Sequence, residues 1–149
     1  VHHSDEHFNT TTYMRQYWLE SPLQSITVTM LVTIPFHFSD MTLYYAYLFT
    51  ALWAFLTHMD VRLELGRFTC LLTGPQLHRL HHSIHEKHRD KNFAQLFPLL
   101  DILFGTYVPP EKGEFPPTGL ISGERIATWR DLLLAPFRAW GQLIRKKAA

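Results

Sequence analysis

Five histidines, His78, His81, His82, His85 and His88, fall within 11 residues. On a helix advancing about 100° per residue they would share one arc of about 120°. A second group, His2, His3 and His7, opens the sequence, with His3 and His7 four residues apart, and single histidines stand at 37 and 58. Imidazole is uncharged near neutral pH, so several rings can converge without the repulsion that carboxylates would suffer. Its nitrogens suit iron, zinc, copper and nickel, and histidines gathered on one face point to a metal. Competing chemistries lack their residues. His85-Glu86-Lys87-His88 is one residue short of the zinc-protease H-E-x-x-H. No G-x-S-x-G elbow and no phosphate-cradling glycine loop occurs. Cys70 stands alone, which excludes an internal disulfide framework and a cysteine-based zinc finger.

The elements that must bring these histidines together are apolar. The chain has 149 residues, enough for one domain, and its net charge of +1 carries no nucleic-acid footprint. No Lys or Arg occurs between Arg15 and Arg62, and the only acids in that interval are Glu20, Asp40 and Asp60. Two apolar stretches lie inside it, 26–38 and 43–56, separated by the Ser39-Asp40 pair. Runs of this length also form buried helices of soluble domains. Tyr44, Tyr45, Tyr47 and Trp53 suit a lipid or interfacial setting, and the basic residues flank the pair while the turn has none. The expectation is a membrane hairpin over 22–57 with both ends on the cytoplasmic side. Pro35 is expected to end or kink its first helix. Such an out-and-back path returns the chain to its starting side, where His58 can meet both histidine groups, and leaves His37 at the far end.

After a Pro/Gly-rich stretch, Thr128 is placed to cap a helix on which Trp129, Leu133, Phe137, Trp140 and Ile144 recur at helical spacing. Arg130, Arg138, Arg145, Lys146 and Lys147 accompany them. This amphipathic helix, expected over 124–147, suits either a membrane interface or a place on the protein's own core. The mean hydropathy of −0.08 therefore averages an apolar hairpin with polar segments.

The segment His78-Arg79-Leu80-His81-His82, followed by Asp90-Lys91-Asn92-Phe93 and then Asp101-Ile102-Leu103-Phe104-Gly105-Thr106-Tyr107, resembles the third histidine box of the fatty acid hydroxylase / sterol desaturase superfamily. His2-His3-Ser4-Asp5-Glu6, with Asn9 and Thr11, resembles the end of the second box, H-x-x-H-H. Leu56-Thr57-His58-Met59-Asp60 resembles the single histidine after the membrane hairpin, with Asp60 where the family usually has Asn. Glu114-Phe115-Pro116-Pro117-Thr118-Gly119 is similar to a C-terminal stretch of bacterial members. Leu100 stands where a Trp often precedes the Asp, and Tyr17 where a His often follows the Arg. The family's first box and the first histidine of its second would precede Val1, so the chain is expected to be the C-terminal part of a longer protein.

The resemblance implies an all-α protein over 1–149, an integral membrane helical hairpin joined to a cytoplasmic histidine-rich metal-binding region over 58–107. It implies two iron ions, with zinc a substitute, held by His2, His3, His58, His78, His81 and His82. His7, His85 and His88 are further candidates, and Asp90 and Asp101 are candidates to accept the outer ring N–H of ligand histidines. The implied activity is O2-dependent hydroxylation or desaturation of a membrane lipid, with a small haem or iron–sulfur protein as electron donor and no nucleic-acid partner. The alternative is a non-catalytic membrane protein whose histidine cage is structural or binds zinc.

Overall fold

The computed structural model describes residues 2–120 and 128–148. Among them the regular structure is helical, without a β-strand, and one isolated antiparallel bridge pairs Ser83 with Thr118. Short 3-10 turns at His2–Ser4 and Thr10–Met14 lead into a helical run made of α1 (Glu20–Gln24), a π-helical turn (Ser25–Thr29) and α2 (Met30–Phe36). Pro35 sits in the last turn, where it has no N–H to give to the carbonyl four residues earlier, and the run ends one residue later. His37 closes the run in a left-handed conformation, φ 46°, and its N–H donates to the Thr33 carbonyl.

Ser39 then starts α3 (Asp40–Thr57), its hydroxyl accepting from the Thr42 N–H at 3.2 Å. The turn and the two helices therefore fall where the charge gap placed them. No described helix is long and apolar enough to cross a membrane. The 18 residues of α3 rise about 27 Å, short of a hydrocarbon core of about 30 Å, and Asp40 and three tyrosines dilute its apolar character. Large apolar side chains on both helices nevertheless face outward. Ile26, Leu31, Ile34 and Phe36 on the first, and Tyr47, Phe49 and Leu52 on α3, are each more than half exposed.

The other end of α3 is anchored. Trp53 donates from Nε1 to the Thr73 carbonyl at 3.1 Å, and Tyr13 meets Phe55 edge to face at 5.2 Å. Here α3 packs on the Thr10–Met14 turn and on α4 (Pro75–His81). Pro at the first position and Gly74 before it start α4, and a Cβ on Gly74 would lie 2.8 Å from Leu65 Cδ1. The buried interior is mostly polar. Phe8, Ala54, Leu77 and Leu80 are its apolar members, against Asp5, Thr12, Thr57, His58, His78, His82, Asn92, Asp101 and other buried polar groups.

One expectation changes. The arc of five histidines needed one helix through 78–88, but α4 stops at His81. The backbone beyond it is claimed from far along the chain: Ile84 N–H donates to the Pro117 carbonyl at 3.2 Å and Gly119 N–H to the His82 carbonyl at 3.3 Å. His85 and His88 consequently leave the face shared by His78 and His82. At the C-terminus Thr128 caps α6 (Trp129–Ala148) as expected, accepting from the Asp131 N–H at 3.1 Å. Residues 124–127 of the expected helix lie outside the described residues.

Asp101, in α5 (Leu99–Phe104), organises the segment after the histidines. Its buried carboxylate accepts from the Phe93 N–H at 3.0 Å, the Ala94 N–H at 2.7 Å and the Thr106 hydroxyl at 2.5 Å. Gly105, at φ +71°, closes α5 in a conformation that suits glycine and lets the chain double back. Asp101→Ala strands two part-buried amide donors and is expected to cost about 1–3 kcal/mol, read as a lowered thermal unfolding midpoint.

Candidate metal centre

Three separate parts of the chain supply one cluster. The first 3-10 turn supplies His2, the residue after α3 supplies His58, and α4 with its C-terminal cap supplies His78 and His82, four apart on one face. One ring nitrogen from each of the four lies within 4.8 Å of the others, and His58, His78 and His82 are buried. Phe8 lies against the His58 ring at 5.3 Å and the His82 ring at 4.9 Å and is itself buried. The Arg79 guanidinium lies over Phe8 and, at 3.7 Å, over Phe115, and bonds to Asp60 at 2.6 Å and to the Pro116 carbonyl at 2.8 Å. Asp60, the departure from the usual Asn, thus holds the arginine that lies over Phe8.

Backbone carbonyls fix the protons on these rings. His2 Nδ1 lies 3.0 Å from the Thr12 carbonyl, and His58 Nδ1 lies 2.7 Å from the Ala54 carbonyl. A carbonyl only accepts, so each neutral ring carries its single proton on Nδ1 and a lone pair on Nε2. Those two Nε2 atoms face each other at 3.2 Å, and neither has a proton to share. His78 Nε2 approaches His58 Nε2 to 3.0 Å, while His78 Nδ1 and His82 Nε2 are buried without a hydrogen-bond partner. Converging lone pairs and orphaned buried nitrogens are destabilising unless a cation joins them. The donor set fits a transition metal.

Electrostatics agree with this. Burial holds the His58 imidazole at about 4, against the upward influence of its backbone bond, and lowers His2 and His78 as well. His82 is lowered by burial and by its neighbouring imidazoles, and the same causes bring His3 to about 3. The rings are therefore neutral at pH 7, as ligation requires.

Of the other predicted residues, His3 and His81 adjoin the four. His3 stacks on His82 at 4.4 Å with an interplanar angle of 20°, and His81 packs against His3 at 4.6 Å. Both line a cavity of about 370 Å³ together with Ser83, Arg89, Asp90 and Phe93. Asp90 reaches that cavity, but Asp101 makes none of its hydrogen bonds to an imidazole. The acceptor for His81 Nδ1 is the Lys91 carbonyl at 2.8 Å, which Asp90 and Asn92 flank, both at φ 53°. Asn92 is locked by two side-chain bonds to the Val108 backbone. His7 and His85 are exposed, and His88 is buried apart from the cluster, its Nε2 3.3 Å from Glu114. Phe8, Tyr13 and Arg79 are the neighbours that sequence reasoning missed. Arg79 and Phe8 sit within or beside the histidine motifs, which was the available signal.

The residues and their order are those of one class of protein. The fatty acid hydroxylase family profile matches residues 1–106, and the chain belongs to that family. Among its relatives, it is 34% identical over 108 residues to alkylglycerol monooxygenase of Homo sapiens, covering 72% of this chain and 23% of that protein. It is 29% identical over 117 residues to the Danio rerio alkylglycerol monooxygenase, covering 73% and 24% respectively. The Caenorhabditis elegans enzyme of the same name is 25% identical over 147 residues, covering 98% and 28%. The chain thus spans about a quarter of the length of these relatives. No solved structure matches it.

Unfolded histidines take up protons from about pH 6.5, whereas folded His58 and His3 resist until about 4 and about 3. Unfolding below about pH 6.5 therefore takes up protons, and the metal-free protein is expected to lose stability steadily as pH falls through that window. Thermal midpoints measured against pH check this.

Proposed function

We propose that this chain forms part of an iron-dependent monooxygenase that hydroxylates a membrane lipid. The observation that carries the reading is the pair of carbonyl-fixed Nε2 lone pairs of His2 and His58, converging with His78 and His82 inside a member of this family. Two iron ions held by His2, His3, His58, His78, His81 and His82 would supply O2 activation, with electrons from a small haem or iron–sulfur carrier. The name these relatives share, alkylglycerol monooxygenase, supports an alkylglycerol as the substrate and monooxygenation as the reaction.

The chain's own residues do the remaining work. The Thr12, Ala54 and Lys91 carbonyls hold the Nδ1 protons of His2, His58 and His81, leaving Nε2 free on each. Phe8 keeps water from the buried rings, and the cavity beside His3 and His81 offers room for the reacting part of a substrate. The outward apolar faces of the run over 20–36 and of α3 support a hairpin embedded in lipid, with the flanking Arg15 and Arg62 on the cytoplasmic side. From there a lipid reaches the histidines without crossing water.

A structural zinc cage remains the competing reading, because four nitrogens also suit a closed zinc site. The two separate in one experiment on the purified protein reconstituted with Fe(II), a reductant and an alkylglycerol. Lipid-dependent O2 consumption is expected, falling more than about 100-fold in His82→Ala. Bound zinc with no lipid-dependent O2 uptake would favour the cage.

A further inference from the structure

The C-terminal helix α6 makes no contribution to the histidine cluster, yet it presents an ordered chemical surface. Trp129, Leu133, Phe137, Trp140 and Ile144 occupy an arc of about 80° on its wheel. All five are exposed, Trp129 and Ile144 by 75% and 69%. The stripe is therefore not packed on the protein's own core, one of the two places the sequence allowed. Arg130, Arg138 and Arg145 are also exposed and follow along one edge of that arc. Arg138 shares its charge with Asp131 at 3.1 Å, and Asp131 is otherwise engaged by the Thr128 cap.

From the stripe across the basic edge the surface forms a groove of about 470 Å³ lined by Phe137, Gly141, Leu134, Arg145 and Arg138, with Gln142 at its far, polar rim. Apolar and guanidinium groups lining one groove match an acyl chain and the anionic phosphate attached to it. The helix is also tethered near the other apolar surface. The Tyr17 hydroxyl donates to the Leu133 carbonyl at 2.9 Å, fixing the first turns of α6 beside the residues that lead into the outward-facing run over 20–36.

We propose that α6 lies in the interface of an anionic lipid bilayer, its Trp129–Ile144 stripe among the acyl chains and its arginines on lipid phosphates. This extends beyond the oxygenase reading, which assigns α6 nothing. A second protein would cover the stripe equally well, but two tryptophans beside arginines on one helix match the layered polarity of an interface.

The test uses the full chain with Cys70→Ser and a single environment-sensitive fluorophore on Phe137→Cys, or on Gln142→Cys for the polar side. Vesicles are phosphatidylcholine alone or with about 30% phosphatidylserine, each with a spin-labelled quenching lipid. The expected result is quenching at 137 well above that at 142, stronger in the anionic vesicles. Quenching at 137 should fall by about half or more when Arg130, Arg138 and Arg145 are all changed to Glu. No quenching at 137 in either vesicle overturns the proposal, as does equal quenching in both that the Arg→Glu changes leave unmoved. A fluorophore on Leu48→Cys reports α3 separately, so failure of the hairpin to enter lipid is distinguished from failure of α6. Circular dichroism confirms that each variant keeps its helix content.

Discussion

Unprotonated ring nitrogens brought within reach of one another are the constraint on which the structure turns. His2 and His58 each give their only proton to a backbone carbonyl, so their facing nitrogens cannot satisfy each other. An interior built this way is unfavourable as a core and favourable as a metal seat. It explains why so many buried groups are polar. Asp5 takes the Thr12 hydroxyl at 2.8 Å and Arg15 at 2.9 Å, and thereby steadies the carbonyl on which His2 hangs. Asp101 and Asn92 do the same for the loop that offers Lys91 to His81.

The apolar residues are consequently placed on the outside. Little of the aromatic and aliphatic content is spent on the interior, and the run over 20–36, α3 and α6 carry it outward. Contiguous exposed apolar surface of this kind marks contact with lipid or another protein. Under the proposed function, a histidine cluster at one end of two such helices would act on a substrate dissolved in the bilayer.

The parts legible in the sequence are those set by local chemistry. The break at Pro35, the turn at Ser39-Asp40, the Thr128 cap and the i,i+4 pairing of His78 with His82 all follow from neighbouring residues. The box histidines were visible as a set, but which four would converge was not, because that depends on where α3 delivers His58 and how the first turn folds back. The end of α4 was hidden because residues 117–119 claim the backbone of 82–84. The ring partners were hidden too, since a backbone carbonyl has no signature in the sequence. Asp90 and Asp101 were candidates to orient ligand imidazoles; at His81 the Lys91 carbonyl takes the ring proton, held between the left-handed Asp90 and Asn92.

The protonation of the histidine rings tests the central claim most directly. In metal-free protein labelled with 15N histidine at pH 7, two-bond nitrogen–proton correlations report which ring nitrogen carries the proton. The account predicts Nδ1–H with bare Nε2 for both His2 and His58, and displacement of those Nε2 resonances when Fe(II) or Zn(II) is added. Protonated Nε2 on both rings, undisturbed by either metal, would contradict it.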